Sequence, residues 1–110
     1  MEEEIEEAER LLFRRLRELG TDIELVVDIV RERELMYRMA DRCDPRALTN
    51  LAKLHEHADE AHDFLRGEML AGRISTDDYY EAMKSLVTYT EIAREDLVRK
   101  LGKCGCRWRE

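Results

Sequence analysis

The sequence is poor in amides and proline and has no long apolar run. It contains no glutamine, one asparagine (Asn50) and one proline (Pro45) in 110 residues. No apolar run reaches the roughly 18 to 20 residues that a membrane-spanning helix needs. The net charge of −7 disfavours general binding to nucleic acid, because such binders neutralise phosphates with clustered Lys and Arg. We therefore expect a cytoplasmic protein with no membrane partner and little affinity for nucleic acid.

The common enzyme motifs are missing as well. The chain holds no Gly-rich phosphate loop, no His-Glu-x-x-His zinc motif and no nucleophile elbow. We therefore expect a non-enzymatic protein, with no catalytic residues to assign.

Charge is abundant, since Asp, Glu, Lys and Arg make up 41% of the chain. Many ion pairs combined with few amides are typical of proteins from hot environments. The composition therefore predicts a thermophilic source.

Helical periodicity runs nearly from end to end. Turn and capping residues at Gly20, Asp44-Pro45 and Gly72-Ser75 divide the pattern into helices over about 2–19, 22–41, 45–71 and 76–101. Short connections favour antiparallel neighbours. The predicted fold is all-α: an antiparallel four-helix bundle over residues 1–102, with two shorter N-terminal and two long C-terminal helices, followed by a basic tail over 103–110. A kinked continuous helix at Gly20 is the alternative to a hairpin there.

The long helices are expected to extend beyond the short ones and to leave apolar surface uncovered. A homodimer that completes the bundle through the third and fourth helices is the assembly this predicts. Leu86 and Leu97 are the residues expected to be sensitive to a charge at that contact.

All three histidines fall within one eight-residue stretch of the third helix. The spacing of His55, Asp59 and His62 places their side chains along one flank of the helix. Two imidazoles and a carboxylate suit a transition metal such as zinc, iron or nickel. The segment Asp59-Glu60-Ala61-His62 resembles the acidic-x-x-His motif of ferritin-like di-iron helices, which have Glu in place of Asp59. This resemblance implies a metal-binding, ferritin-like protein as the alternative function.

A basic residue, Arg33, interrupts the apolar stripe of the second helix and needs a buried anionic partner. Counting helical rises back from the following loop places Arg33 one turn from Asp59. A buried Arg33–Asp59 ion pair is therefore a prediction that accounts for the polar cluster without a metal. A pH-responsive interface built on the histidines is a third interpretation.

The topology places Cys43 at the same end of the bundle as Cys104 and Cys106. Free thiols, a disulfide between Cys43 and one of the tail cysteines, and a zinc site all remain open.

The tail also carries Arg107, Trp108 and Arg109. Trp flanked by cations is found in stacking contacts with nucleic acid and in protein hot spots, although Trp108 could instead cover the end of the bundle. The leading expectation is a small homo-oligomeric helical protein that acts through protein–protein association. A nucleic-acid accessory factor that uses the tail is the third possibility.

Overall fold

The structure is a computed structural model that describes residues 2–105. These residues form four helices and no strand: α1 (Glu2–Glu18), α2 (Ile23–Asp41), α3 (Ala47–Leu70) and α4 (Thr76–Gly102). The helices pack into an antiparallel bundle, so the predicted all-α fold is confirmed. The bundle is elongated, with extents of 52 × 22 × 18 Å. No helix in the described range is long and apolar enough to span a membrane.

Helices α1, α2 and α3 end in the same type of turn. Each turn has a residue with positive φ, namely Gly20 (83°), Cys43 (55°) and Gly72 (76°). In the first of them the N–H of Thr21 donates to the carbonyl of Leu16 at 2.9 Å, which satisfies a carbonyl at the helix end. The turn at Gly20 produces a hairpin rather than a kinked continuous helix.

The starts of α2 and α4 follow from side-chain capping. Ser75 caps α4 as predicted, because its Oγ accepts the N–H of Asp78 at 3.0 Å. At α2 the cap is Asp22, whose carboxylate accepts the N–H of Glu24 at 3.0 Å. Asp22 directly precedes the first helical residue, and its short carboxylate reaches the second N–H of the helix.

Helix α3 begins later than predicted, at Ala47. The carboxylate of Asp44 accepts the N–H of Arg46 at 2.9 Å and so caps a short turn that precedes the helix. Hydrogen bonds from the side chain and backbone of Arg46 also lower the pKa of Asp44. Asp44 and Pro45 therefore start a turn, and the helix follows from it.

Packing within the bundle is uneven. Helix α2 packs chiefly on α3 and α1 chiefly on α4, whereas α1 and α2 contact each other much less. Leu86 and Leu97 are only 5% and 1% exposed, because both belong to the core of a single chain. These two residues therefore pack inside one chain and not at a surface where a second copy could reach them, and the homodimer through the third and fourth helices stays a prediction. The largest fully buried apolar side chains are Ile5, Leu16, Val26, Ile29, Met36, Leu54, Leu65, Tyr89 and Leu97.

Candidate association surface and buried network

The predicted metal ligands do not converge. His55 and Asp59 are exposed on α3, and His62 is half-buried with its Nε2 2.9 Å from the hydroxyl of Tyr79 on α4. Within residues 2–105 there is no group of three or more His, Cys, Asp or Glu side chains placed to hold a metal ion. Where the sequence suggested ligands, the structure has a hydrogen bond between α3 and α4.

Arg33 is paired with Glu9 on α1. Its Nε donates to Glu9 Oε2 at 2.8 Å and its Nη2 donates to Glu9 Oε1 at 2.8 Å, so the contact is bidentate. The two side chains are only 12% and 16% exposed. Asp59 stays exposed on α3. The need of Arg33 for a buried anion was correctly inferred, but the predicted Arg33–Asp59 pair is wrong.

The sequence did contain a signal for the correct partner. Glu9 lies between Ile5 and Leu12 on the buried face of α1, just as Arg33 interrupts the buried face of α2. Glu9 is eleven residues before Gly20 and Arg33 is twelve after Thr21. Opposite charges at matching distances from a hairpin turn lie at the same level of the bundle. Comparing the interrupted stripes of α1 and α2 would have found the pair.

This ion pair is part of a network that joins α1, α2 and α4. The hydroxyl of Tyr89 donates to Glu9 Oε2 at 2.6 Å. The guanidinium carbon of Arg33 lies 5.2 Å from the centre of the Tyr37 ring, within cation–π range. The hydroxyl of Tyr37 in turn donates to Asp96. We call these five residues the buried network.

The network raises the pKa values of its arginine and its two tyrosines. Burial raises the pKa of Tyr89, and the charge of Glu9 raises it further. Burial also raises the pKa of Tyr37, as does its hydrogen bond to Asp96. Burial alone would lower the pKa of Arg33, but the hydrogen bonds and charge of Glu9 outweigh it and the pKa is raised. Both phenols therefore stay protonated and Arg33 stays charged at physiological pH, as expected of a structural unit.

At the end of the bundle near the α2–α3 turn, Lys100 adds further ion pairs. Its Nζ lies 2.6 Å from Asp41 Oδ1 and 3.5 Å from Glu2 Oε1. Burial alone would lower the pKa of Lys100, but the hydrogen bond and charge of Asp41 outweigh it and the pKa is raised. The C-terminal part of α4 is thus held to both α1 and α2.

A disulfide joins Cys43 to Cys104 at the same end, with the two Cα atoms 5.8 Å apart. Of the three states considered for the thiols, the structure therefore has the disulfide. Cys106 and the tail residues Arg107, Trp108 and Arg109 lie outside the described range, and the predictions made for them stay predictions.

An open groove of about 700 Å³ lies between α1 and α2. These two helices contact each other much less than α2 contacts α3 or α1 contacts α4. Its apolar part combines Phe13 with Val27 and Val30, and the guanidinium of Arg17 lies 5.8 Å from the centre of the Phe13 ring. Glu9 lies along its inner edge, so the groove borders the buried network. We call it the α1/α2 groove, and its lining residues are Glu9, Arg10, Phe13, Arg14, Arg17, Glu18, Val27 and Val30.

The exposed surface of α1 is divided by charge. Its N-terminal half is acidic and its C-terminal half is basic, and the basic half forms the rim of the groove. Among the ion pairs found in residues 2–105, none involves Arg10, Arg14 or Arg17. The exposed charged residues are Glu2, Glu3, Glu4, Glu6 and Glu7 on one half, and Arg10, Arg14, Arg17 and Glu18 on the other.

Comparisons of the chain with protein-family models, curated proteins and solved structures find no match. A function therefore has to be inferred from the shape and charge of the protein's own surface. The polar groups of the buried network bond to one another. The α1/α2 groove instead offers an apolar floor beside guanidinium groups that form no ion pair within residues 2–105, which suits an amphipathic helix with acidic flanks.

Proposed function

We propose that this protein acts by protein–protein association and that it binds an acidic amphipathic helix in the α1/α2 groove. The observation that carries this proposal is an apolar groove with an arginine rim on a chain of net charge −7. A basic patch on an otherwise acidic protein selects partners by charge.

The apolar floor supplies the driving force. Val27 is 38% exposed and Ile23, one helical turn before it, is 48% exposed, so apolar surface is available for burial. Burial is favourable by about 25 cal/mol per Å² of apolar surface. The 17 residues of α1 span about 25 Å, which matches a partner helix of four to five turns.

The rim supplies selectivity. Arg10, Arg14 and Arg17 follow one side of α1 at spacings of four and three residues, so they face the same direction. Glutamates repeated at this spacing on a partner helix would meet them in turn. Exposed pairs contribute less than about 1 kcal/mol each, so the rim mainly decides which helix binds and how binding responds to salt.

The buried network keeps the groove in shape. Glu9 on α1 and Arg33 on α2 connect the two helices along its inner edge through two hydrogen bonds. Tyr89 fixes Glu9 to α4 from the other side. A groove with a fixed width loses little conformational freedom on binding, and this favours affinity.

Fluorescence anisotropy with a labelled synthetic helix tests the proposal. The probe carries one leucine stripe flanked by glutamates, and a matched peptide carries lysines instead. The acidic peptide should bind with a Kd in the micromolar range and the basic peptide at least tenfold more weakly. Val27→Asp should weaken binding of the acidic peptide tenfold or more, since it puts a carboxylate on the floor. A control, Val98→Asp, changes a valine on α4 that is 62% exposed, more than Val27, and should have no effect.

Equal binding of the two peptides, or binding that Val27→Asp leaves unchanged, would contradict the proposal. So would the lack of any binding of the acidic peptide at every protein concentration from roughly 1 to 200 µM, a range that covers micromolar Kd values.

A further inference from the structure

We infer that the helix bound in the α1/α2 groove is α1 of a second copy of this chain, lying antiparallel to the first. This inference rests on the function proposed above, because it assigns a partner to the same groove. It is carried by the order of charges along α1.

The acidic half of α1 is the chemical counterpart of the rim. Glu3 and Glu7 lie on the outward side of α1 that also carries Arg14 and Arg17, and all four side chains are exposed. When two α1 helices cross near Arg10 in antiparallel orientation, Glu7 comes opposite Arg14 and Glu3 opposite Arg17. Each such contact occurs twice, once in each direction, as a two-fold axis requires.

The same pattern disfavours the other orientation. In a parallel pair the glutamates of one α1 would face the glutamates of the other, and the arginines would face arginines. Like charges in contact are destabilising. The antiparallel pair is also closed, because each copy offers its groove to the other and both Arg14 and Arg17 meet a glutamate. Arg10 lies at the two-fold axis beside Arg10 of the second copy, so the four outer contacts carry the charge complementarity. The expected product is therefore a dimer rather than a filament.

The apolar residues of the groove fit the same arrangement. Phe13 lies one turn from Arg10, the predicted crossing point, so the two Phe13 rings flank the two-fold axis. Their burial adds to that of Val27 on each copy. The contact is small, because two helices of about 25 Å present a face of about 500 Å² in projection. Standard stable interfaces bury about 800 Å² per partner, so we expect a Kd of about 1 to 50 µM.

Complementary charge reversal tests the inference directly. One variant carries Glu3→Arg with Glu7→Arg, which leaves only basic residues at the four facing positions of α1. The other carries Arg14→Glu with Arg17→Glu, which leaves only acidic residues at those positions. Sedimentation equilibrium should show that the wild-type chain dimerises and that each variant alone associates at least tenfold more weakly. An equimolar mixture of the two variants should form a heterodimer, because every reversed residue meets its opposite.

Two control variants match the changes in net charge. Glu91→Arg with Glu95→Arg, and Arg66→Glu with Arg94→Glu, alter exposed residues on α3 and α4 and should leave dimerisation as in the wild type. Circular dichroism of all variants reports whether the bundle is intact. Restored association in the mixture further shows that both charge-reversed chains are folded.

The outcomes separate this inference from the proposed function. A wild-type chain that stays monomeric at 200 µM overturns the inference, yet the function survives if the acidic peptide still binds the groove. The inference is also overturned if each charge-reversed variant still dimerises by itself, or if mixing the two variants fails to restore dimerisation. In either case the copies meet through another surface. If the acidic peptide fails to bind as well, the proposed function fails with it.

Discussion

Two of the exposed apolar surfaces of this molecule differ in what surrounds them. The α1/α2 groove exposes parts of Phe13 and Val27 beside a row of arginines. The hairpin-end surface, defined here as Leu70 and Tyr80 on either side of the α3–α4 turn, is 72% and 63% exposed. By exposure alone the second surface would be the better candidate for association. The charges favour the first, because only a patterned rim distinguishes one partner from another.

The two surfaces also differ in what supports them. The groove lies against the buried network, which ties α1 to α2 and α4. The hairpin-end surface is held by local contacts, such as the exposed Arg73–Glu68 pair and the edge contact of the Tyr79 and Tyr80 rings at 5.4 Å. A surface with a fixed shape is suited to specific binding, whereas an exposed turn tolerates change.

Reduction of the Cys43–Cys104 disulfide should have the largest effect on stability and no effect on which surface forms the dimer. The bond links residues separated by 61 positions, and closing a loop of that size restricts the unfolded chain by about 4 kcal/mol. Urea unfolding with and without dithiothreitol measures the loss. The disulfide contributes no charge to α1 and no residue to the groove, so the reduced protein should still dimerise at 25 °C. Dimerisation that requires the disulfide would show that the contact does not depend on the charges of α1 alone.

Removing one partner of the buried ion pair should come next. Glu9→Ala leaves the guanidinium of Arg33 buried without a counter-charge, at a cost of about 3 kcal/mol in the free energy of unfolding. Glu9→Leu combined with Arg33→Met should recover much of this loss, because no charge is then left unpaired. As a control, Asp59→Ala on the exposed face of α3 should cost less than about 0.5 kcal/mol. Equal costs for Glu9→Ala and Asp59→Ala would show that the network does not support the groove.

High pH should weaken the folded state through the two network tyrosines. Their pKa values are raised above the ordinary value of 10.0, so above pH 10 the unfolded chain loses protons that the folded chain retains. The stabilising contribution is complete below pH 10 and declines as pH rises toward the folded pKa. The slope is about 1.4 kcal/mol per pH unit for each tyrosine.

Thermal unfolding between pH 9 and 11.5 measures this decline. Tyr89→Phe should make it shallower, whereas Tyr80→Phe at the hairpin-end surface should not change it, because Tyr80 is 63% exposed. If both variants change the decline of stability with pH to the same extent, the buried network does not support the groove more firmly than local contacts support the hairpin-end surface.

The smallest effect is expected at the hairpin-end surface itself. Leu70→Ser combined with Tyr80→Ser removes two exposed side chains and should change stability by less than about 1 kcal/mol. Sedimentation equilibrium should give the wild-type dimerisation constant. If the double variant is monomeric, the hairpin-end surface forms the dimer contact and the α1/α2 groove does not.

Much of the fold could be predicted because the residues that start and end the helices act through local contacts. Gly20 and Gly72 permit positive φ where helices end, and Ser75 caps the helix that follows it. The start of α3 was misplaced because Asp44 and Arg46 bond to each other within a turn. An aspartate that caps a helix and one that caps a turn look alike in sequence. Which N–H its carboxylate accepts determines where the helix begins, and the sequence does not give this.

The candidate site was predictable only in part, because it depends on which helices face each other. The position of Arg33 in an apolar stripe indicates a buried anionic partner, but α1 and α3 both contact α2 and each carries a candidate. Asp59 on α3 fits the helix register, whereas Glu9 lies within the apolar stripe of α1 and is the partner that the structure shows. The groove was beyond prediction, since it arises from the weak contact of α1 with α2, a property of packing rather than of any residue pattern.

Small-angle X-ray scattering of the wild-type chain at about 200 µM tests the central claim most directly, because the shape of a dimer reveals its contact. One copy has a longest extent of 52 Å. Two copies joined side by side through α1 should form a particle of twice the mass with a maximum dimension of roughly 60 Å, as a two-fold axis between the helices requires. A dimer of roughly 100 Å, joined end to end through Leu70 and Tyr80, or a particle of monomer mass, would contradict the account.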